Sequence, residues 1–130
     1  MSQREFMRKA IELAEENVKQ GGQPYGAVVV KDGEIISTGV NQMHVKHDPT
    51  AHAELLAIQE AARKLNTLDL ADCEIYASGE PCPMCLATIY WSKIRTVYYA
   101  KAATGASQFI YEEIAKPREE RSISIKKLNV

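Results

Sequence analysis

Apolar residues return at helical spacing along the first stretch of the chain. Phe6, Ala10, Ile11, Leu13, Ala14 and Val18 predict one amphipathic helix from about Glu5 to Lys19, stopped by Gly21-Gly22. The pattern then changes period. Ala27-Val28-Val29-Val30 is a β-branched run and reads as a buried strand. Lys31-Asp32-Gly33-Glu34 supplies an Asp-Gly turn, and Ile35 to Val40 returns as the second arm of a hairpin. Asn41 to Pro49 reads as a loop. A second helix is expected from Thr50-Ala51 to Leu65, with Leu55, Leu56, Ile58, Ala62 and Leu65 as its buried stripe. Cys73 to Ala77 reads as a strand and Pro83 to Ser92 as a helix with proline in its first turn. Arg95 to Ala100 reads as a strand and Phe109 to Ala115 as a helix stopped before Pro117. Ser122 to Leu128, with Ile123, Ile125 and Leu128, predicts a last strand.

The hairpin arms pair antiparallel, and the later strands, each reached through a helix, are expected to run parallel by right-handed crossovers. The fold expected from this order is α/β: one mixed five-stranded sheet in a three-layer α/β/α sandwich. At 130 residues the chain suits a single domain, 1–130, with a core of its own.

Charge narrows the range of functions. Sixteen Lys and Arg nearly balance seventeen Asp and Glu, and this gives a formal net charge of −1. A protein that grips phosphates carries a basic excess, so the balance argues against nucleic acid and for a small substrate. The N-terminal residues have no apolar signal region, and no apolar run is long enough to span a bilayer. The expected compartment is the cytoplasm, where the three cysteines serve as ligands or core rather than as disulfides.

Two short motifs carry chemistry: His52-Ala53-Glu54 and Pro81-Cys82-Pro83-Met84-Cys85. Cys82 and Cys85 stand three apart at a helix start, so both sulfurs share one face, and the positive helix end favours thiolates. Two thiolates and one neutral histidine suit one Zn2+ per chain and leave the fourth tetrahedral position to water, the arrangement of a catalytic zinc. His44 or His47 could instead close the site, and Cys73 reads as core. Glu54, two residues after His52, lies near the metal without binding it. It is expected to move protons while zinc hydroxide attacks a ring carbon bearing an amino group. His-x-Glu with Pro-Cys-x-x-Cys is the general pattern of zinc deaminases.

These motifs lie within a wider likeness. Pro24 to Gly33, Asp48 to Glu54, Glu80 to Leu86, Ile89-Tyr90-Trp91 and Phe109-Ile110-Tyr111 with Lys116-Pro117 resemble the cytidine deaminase-like superfamily and, within it, bacterial guanine deaminases. The resemblance implies conversion of guanine to xanthine and ammonia. It also implies a homodimer with zinc near the subunit interface, Asn41 hydrogen-bonding the base, and Tyr25 near the ring. On residues alone, Asn41 could be only a turn residue and Tyr25 only core. Tyr90 and Trp91 read as core or dimer contacts. The loop Lys101 to Gln108 departs from the resembled enzymes in lacking an acidic residue. Other readings rank below guanine: another amino-heterocycle (cytosine, a nucleoside, a pterin- or triazine-like ring), then adenosine in tRNA, then a zinc-stabilised module without activity.

Overall fold

The computed structural model describes residues 1–130. The elements, in chain order, are α1 (Gln3–Lys19), β1 (Gly26–Lys31), β2 (Glu34–Val40), α2 (Met43–Lys46), α3 (Ala53–Leu65), β3 (Cys73–Gly79), α4 (Pro83–Ser92), β4 (Val97–Lys101) and α5 (Ala106–Ala115), followed by a 3₁₀ turn, Arg118–Glu120. A single mixed sheet runs in the order β2-β1-β3-β4. β1 is antiparallel to both of its neighbours, and β3 and β4 are parallel.

The sheet has four strands, not five. Ser122 to Leu128 pairs with nothing, and Ile123, Ile125 and Leu128 are exposed. Alternation alone does not make a strand: without a neighbouring edge to fill its hydrogen bonds, the segment gains nothing from extension. What the structure builds there is an anchor. Arg121 Nε donates to the carbonyls of Glu113 and Lys116, and Arg121 Nη2 donates to Ile114 O. Two of the last α5 carbonyls, and that of the C-cap Lys116, thereby gain a partner. The Glu113 carboxylate accepts from Lys116 and from the Ser122 amide and hydroxyl, which holds its pKa down at about 2.

β1 is paired along both edges, by β2 and β3, and helices cover both of its faces, so Ala27 to Val30 are apolar without alternation. Ala27 and Val29, with Ile75 on β3, form one cluster with Ala53, Ala57, Ile58 and Ala61 of α3 and Ile89 of α4. Val28, Val30 and Tyr76 point the other way and pack on Phe6 of α1. Tyr76 is held between Phe6, with ring centroids 5.3 Å apart, and Tyr98, stacked at 4.8 Å.

Two apolar stripes differ from expectation. On α1 the buried positions are Phe6, Ala10, Ala14 and Asn17, while Val18 is exposed. On α3 they are Ala53, Glu54, Ala57, Ile58 and Ala61, with Leu55 and Leu56 only half-buried. α3 lies so near β2 that a Cβ on Gly39 would sit 2.2 Å from Ala53 O and 2.8 Å from Ala57 N. The positions nearest Gly39, Ala53 and Ala57, carry small side chains, and Leu55 and Leu56 lie to the side. Ser37 Oγ fixes the contact by donating to Ala57 O at 2.6 Å. Two boundaries also move. The expected loop before α3 contains the short α2, and α5 begins at Ala106 rather than Phe109.

Gly39→Ala is expected to destabilise the fold by roughly 1–3 kcal/mol, the usual cost of overpacking a close contact. Urea unfolding of the metal-free protein measures it. An unchanged midpoint and slope would mean that α3 can slide off the strand without penalty.

Candidate active site

Chain direction brings the candidate residues together. β1 runs opposite to both β2 and β3, so β2 and β3 end at the same edge of the sheet. β4 is parallel to β3 and ends there too, with Gly79 opposite Lys101. The chain leaves β2 for α3 and β3 for α4, so the N-termini of both helices converge at that edge. This is where open α/β sheets place their ligands.

His52 and Cys82 occupy equivalent places, each the N-cap residue of its helix, and neither side chain caps that helix. Both are turned toward each other instead. His52 Nδ1 lies 3.5 Å from Cys82 Sγ and 3.4 Å from Cys85 Sγ. All three donor atoms lie within 4.8 Å of one another. A tetrahedral zinc with bonds of about 2.3 Å to sulfur and about 2.0–2.1 Å to nitrogen requires a sulfur–nitrogen edge of about 3.5 Å. The two sulfur–nitrogen separations therefore match those a zinc ion would require. His44 and His47 are exposed and stand outside the group, which leaves three protein donors. Cys73 is buried in the core beside Ile75.

Without a cation the donors share protons. A hydrogen bond from Cys85, assisted by the His52 ring, takes the Cys82 thiol down to about 4. That same hydrogen bond, with burial, pushes Cys85 far up. The bond to Cys82 raises the His52 pKa despite partial burial. Glu54 is 7 % exposed on the first turn of α3, and burial raises its carboxyl. It lies against Cys85 and outside the donor group.

The residues expected to meet substrate are at the same edge. Tyr25 is exposed and so is not core; a Cβ on Gly79, at the end of β3, would touch its ring at 3.3 Å. Asn41 is 5 % exposed, at the end of β2. Its backbone N–H donates to Tyr25 O, and its Oδ1 accepts from Met43 N at 3.1 Å. That bond uses an acceptor lone pair and leaves the amide N–H₂ free to donate. The next residue, Gln42, donates its N–H to Ala51 O, beside His52. Tyr90 and Trp91 are exposed, not core.

Three further residues support the site. Asn17 of α1 donates through Nδ2 to Gln23 O at 2.7 Å and to Asn41 O at 2.9 Å, and so ties down both ends of the Tyr25–Asn41 hairpin. Its only sequence signal is an amide within an apolar stripe. The Glu80 carboxylate accepts from Ala103 N at 2.9 Å. Tyr111 Oη donates to Pro81 O at 2.6 Å.

This fold with a two-cysteine, one-histidine donor set and a buried carboxyl at its side defines a class of zinc hydrolase. Residues 1–101 match the cytidine and deoxycytidylate deaminase zinc-binding region, and the chain belongs to that family. It is 48% identical over 130 residues to a guanine deaminase of Bacillus subtilis, covering 95% of this chain and 83% of that protein. A crystal structure of guanine deaminase from Bacillus subtilis superposes with a TM-score of 0.94 at 46% identity, over 100% of this chain and 87% of the other. A tRNA-specific adenosine deaminase of Aquifex aeolicus is 44% identical over 100 residues, covering 77% of this chain and 66% of that protein. A relative crystallised with 8-azaguanine superposes with a TM-score of 0.73 at 33% identity, over 75% of this chain and 57% of the other.

The two apolar clusters hold the sheet and helices without help from the donor atoms. Removing zinc with a chelator is therefore expected to leave far-UV circular dichroism unchanged and to lower the melting temperature. Free zinc at a hundred times its Kd should restore about 2.7 kcal/mol. Loss of the helical signal on chelation would identify a structural zinc instead.

Proposed function

We propose that this zinc-dependent hydrolase is an aminohydrolase acting on guanine, and that it converts guanine and water to xanthine and ammonia. The supporting observation is the extent of similarity to the Bacillus enzyme. It runs past residue 101 through α5, whereas the Aquifex likeness spans 77% of this chain. The balanced charge supports a free base over a polyphosphate. One arm of evidence favours a second reading, adenosine in tRNA: the 44% identity to the tRNA-specific enzyme.

In this reading His52, Cys82 and Cys85 hold the zinc. Bound there, zinc supplies a water whose pKa is lowered to about 7. The Glu54 carboxylate takes that water's proton and delivers it to a ring nitrogen as the water oxygen bonds to the ring carbon bearing the amine. Glu54 then carries the second proton to the departing nitrogen. The carbon–nitrogen bond breaks, ammonia leaves, and the carbon is left as a carbonyl. Burial that raises Glu54 brings it toward the range in which one group can both take and return a proton. Asn41, with its oxygen held by Met43, donates to an acceptor on the base edge. Tyr25, at the same end of the sheet, lies near the ring of the base.

The two core clusters, α1 on one side of the sheet and α3 with α4 on the other, support a single three-layer domain over residues 1–130. A homodimer accounts for the exposed apolar side chains Tyr90, Trp91, Tyr99, Phe109, Ile110 and Ile114, which lie on α4, β4 and α5. No helix is long and apolar enough to cross a membrane. The proposed reaction belongs to purine metabolism in the cytoplasm.

The test is ammonia release by the purified zinc protein from guanine, adenine, cytosine, their nucleosides and a tRNA anticodon stem-loop. Guanine is expected to turn over. Turnover of the stem-loop alone would replace this reading with the second. Glu54→Gln is expected to keep one zinc per chain and to lose at least about 100-fold in kcat, the lower end of what general acid–base groups contribute. A smaller loss would remove Glu54 from the proton path.

A further inference from the structure

α5 buries no residue completely, yet it reaches the most sensitive stretch of backbone in the molecule. Tyr111, in its middle, is half-buried and donates its hydroxyl to Pro81 O at 2.6 Å. Pro81 is buried and immediately precedes Cys82. Its carbonyl belongs to the same peptide plane as the Cys82 N–H. A peptide unit turns as one rigid piece, so fixing its oxygen fixes the plane from which the Cys82 side chain departs.

The residue before is held just as firmly. Glu80 N donates to Lys101 O at 2.7 Å, and Glu80 Oε1 accepts from Ala103 N at 2.9 Å. Two consecutive residues thus make three hydrogen bonds, all to the segment that starts at the end of β4 and includes α5. Pro81 has no N–H of its own, so its carbonyl is the only backbone hydrogen-bonding group it offers. Cys82 makes no side-chain capping bond to α4, which holds it through the bond from Leu86 N to Cys82 O, so Tyr111 adds a restraint on the other side of the residue.

We infer that Tyr111 is a positioning residue for the Cys82 sulfur, acting through the Pro81–Cys82 peptide plane, with Glu80 holding the residue before it. The inference rests on the assignment of His52, Cys82 and Cys85 as zinc donors. It gives α5 a part in metal chemistry although the helix contributes no ligand. Outer partners of this kind commonly set 10- to 100-fold of metal affinity or activity.

The experiment compares wild type, Tyr111→Phe and Tyr98→Phe, each as the full chain. Tyr98→Phe is the control: its hydroxyl accepts from Gln3 Nε2, on α1, and touches no donor. Zinc affinity is read by competition with a chromophoric chelator. Ligand geometry is read from the thiolate charge-transfer and d–d bands of the cobalt(II) form. The melting temperature of each metal-free protein is recorded beside them. Tyr111→Phe is expected to bind zinc 10- to 100-fold more weakly and to shift the cobalt d–d bands, with Tyr98→Phe like wild type in both. Wild-type affinity and an unshifted cobalt spectrum in Tyr111→Phe would overturn the inference. A lowered metal-free melting temperature with unshifted bands would do the same, since that is what packing of α5 alone predicts. Wild type that takes up neither metal with thiolate bands would instead remove the donor assignment, and the inference with it.

Discussion

The site depends on one constraint of chain direction. A strand that runs against both of its neighbours makes those neighbours run alike, and whatever follows them starts at a common edge. β1 does this for β2 and β3. Two helices therefore begin side by side, and residues thirty positions apart in the chain meet at 3.5 Å. The close seating of α3 on Gly39 sets how near those starts come, and the alanines of α3 are the requirement that seating imposes. Nothing in the donor geometry is independent of the sheet beneath it.

Electrostatics explains why the arrangement calls for a cation. Two sulfurs, one imidazole and a buried carboxyl lie close together, and burial of Cys85 and Glu54 disfavours their charged forms. The hydrogen bond between the two sulfurs draws the Cys82 thiol down and pushes the Cys85 thiol up, and burial raises the Glu54 carboxyl. A divalent ion would remove the conflict, because it lets both sulfurs be anionic at once and leaves Glu54 free to exchange its proton with a reactant. The same crowding that is a liability in the metal-free fold becomes the chemistry of the bound one.

The donor set was legible in the sequence because metal chemistry demands particular residue types at a helix start, and spacing alone puts Cys82 and Cys85 on one face. The hairpin, α4 and most of α1 were legible because burial period follows backbone geometry. What was not legible depends on partners elsewhere in the chain. Ser122 to Leu128 alternates like a strand but finds no edge. Leu55 and Leu56 are larger than Ala57 and Ala61, yet Gly39 decides which of them faces the sheet. Asn17 replaces Val18 on the buried side of α1 because two carbonyls of the adjacent hairpin await a donor. Tyr111 and Glu80 act on segments 30 and 23 residues away, and no local pattern encodes such a meeting.

Both helix starts at the site forgo the side-chain cap that Ser, Thr, Asp or Asn would provide there. A cap of that kind is worth about 0.5–2 kcal/mol, against a total stability of only about 5–15 kcal/mol for a domain. The fold would therefore gain robustness from an Asp or Ser in place of His52 or Cys82, and would lose a ligand in the exchange. Drift toward stability and drift away from activity point in the same direction at these two positions. A descendant of this chain released from selection for turnover would harden first where it now binds its metal.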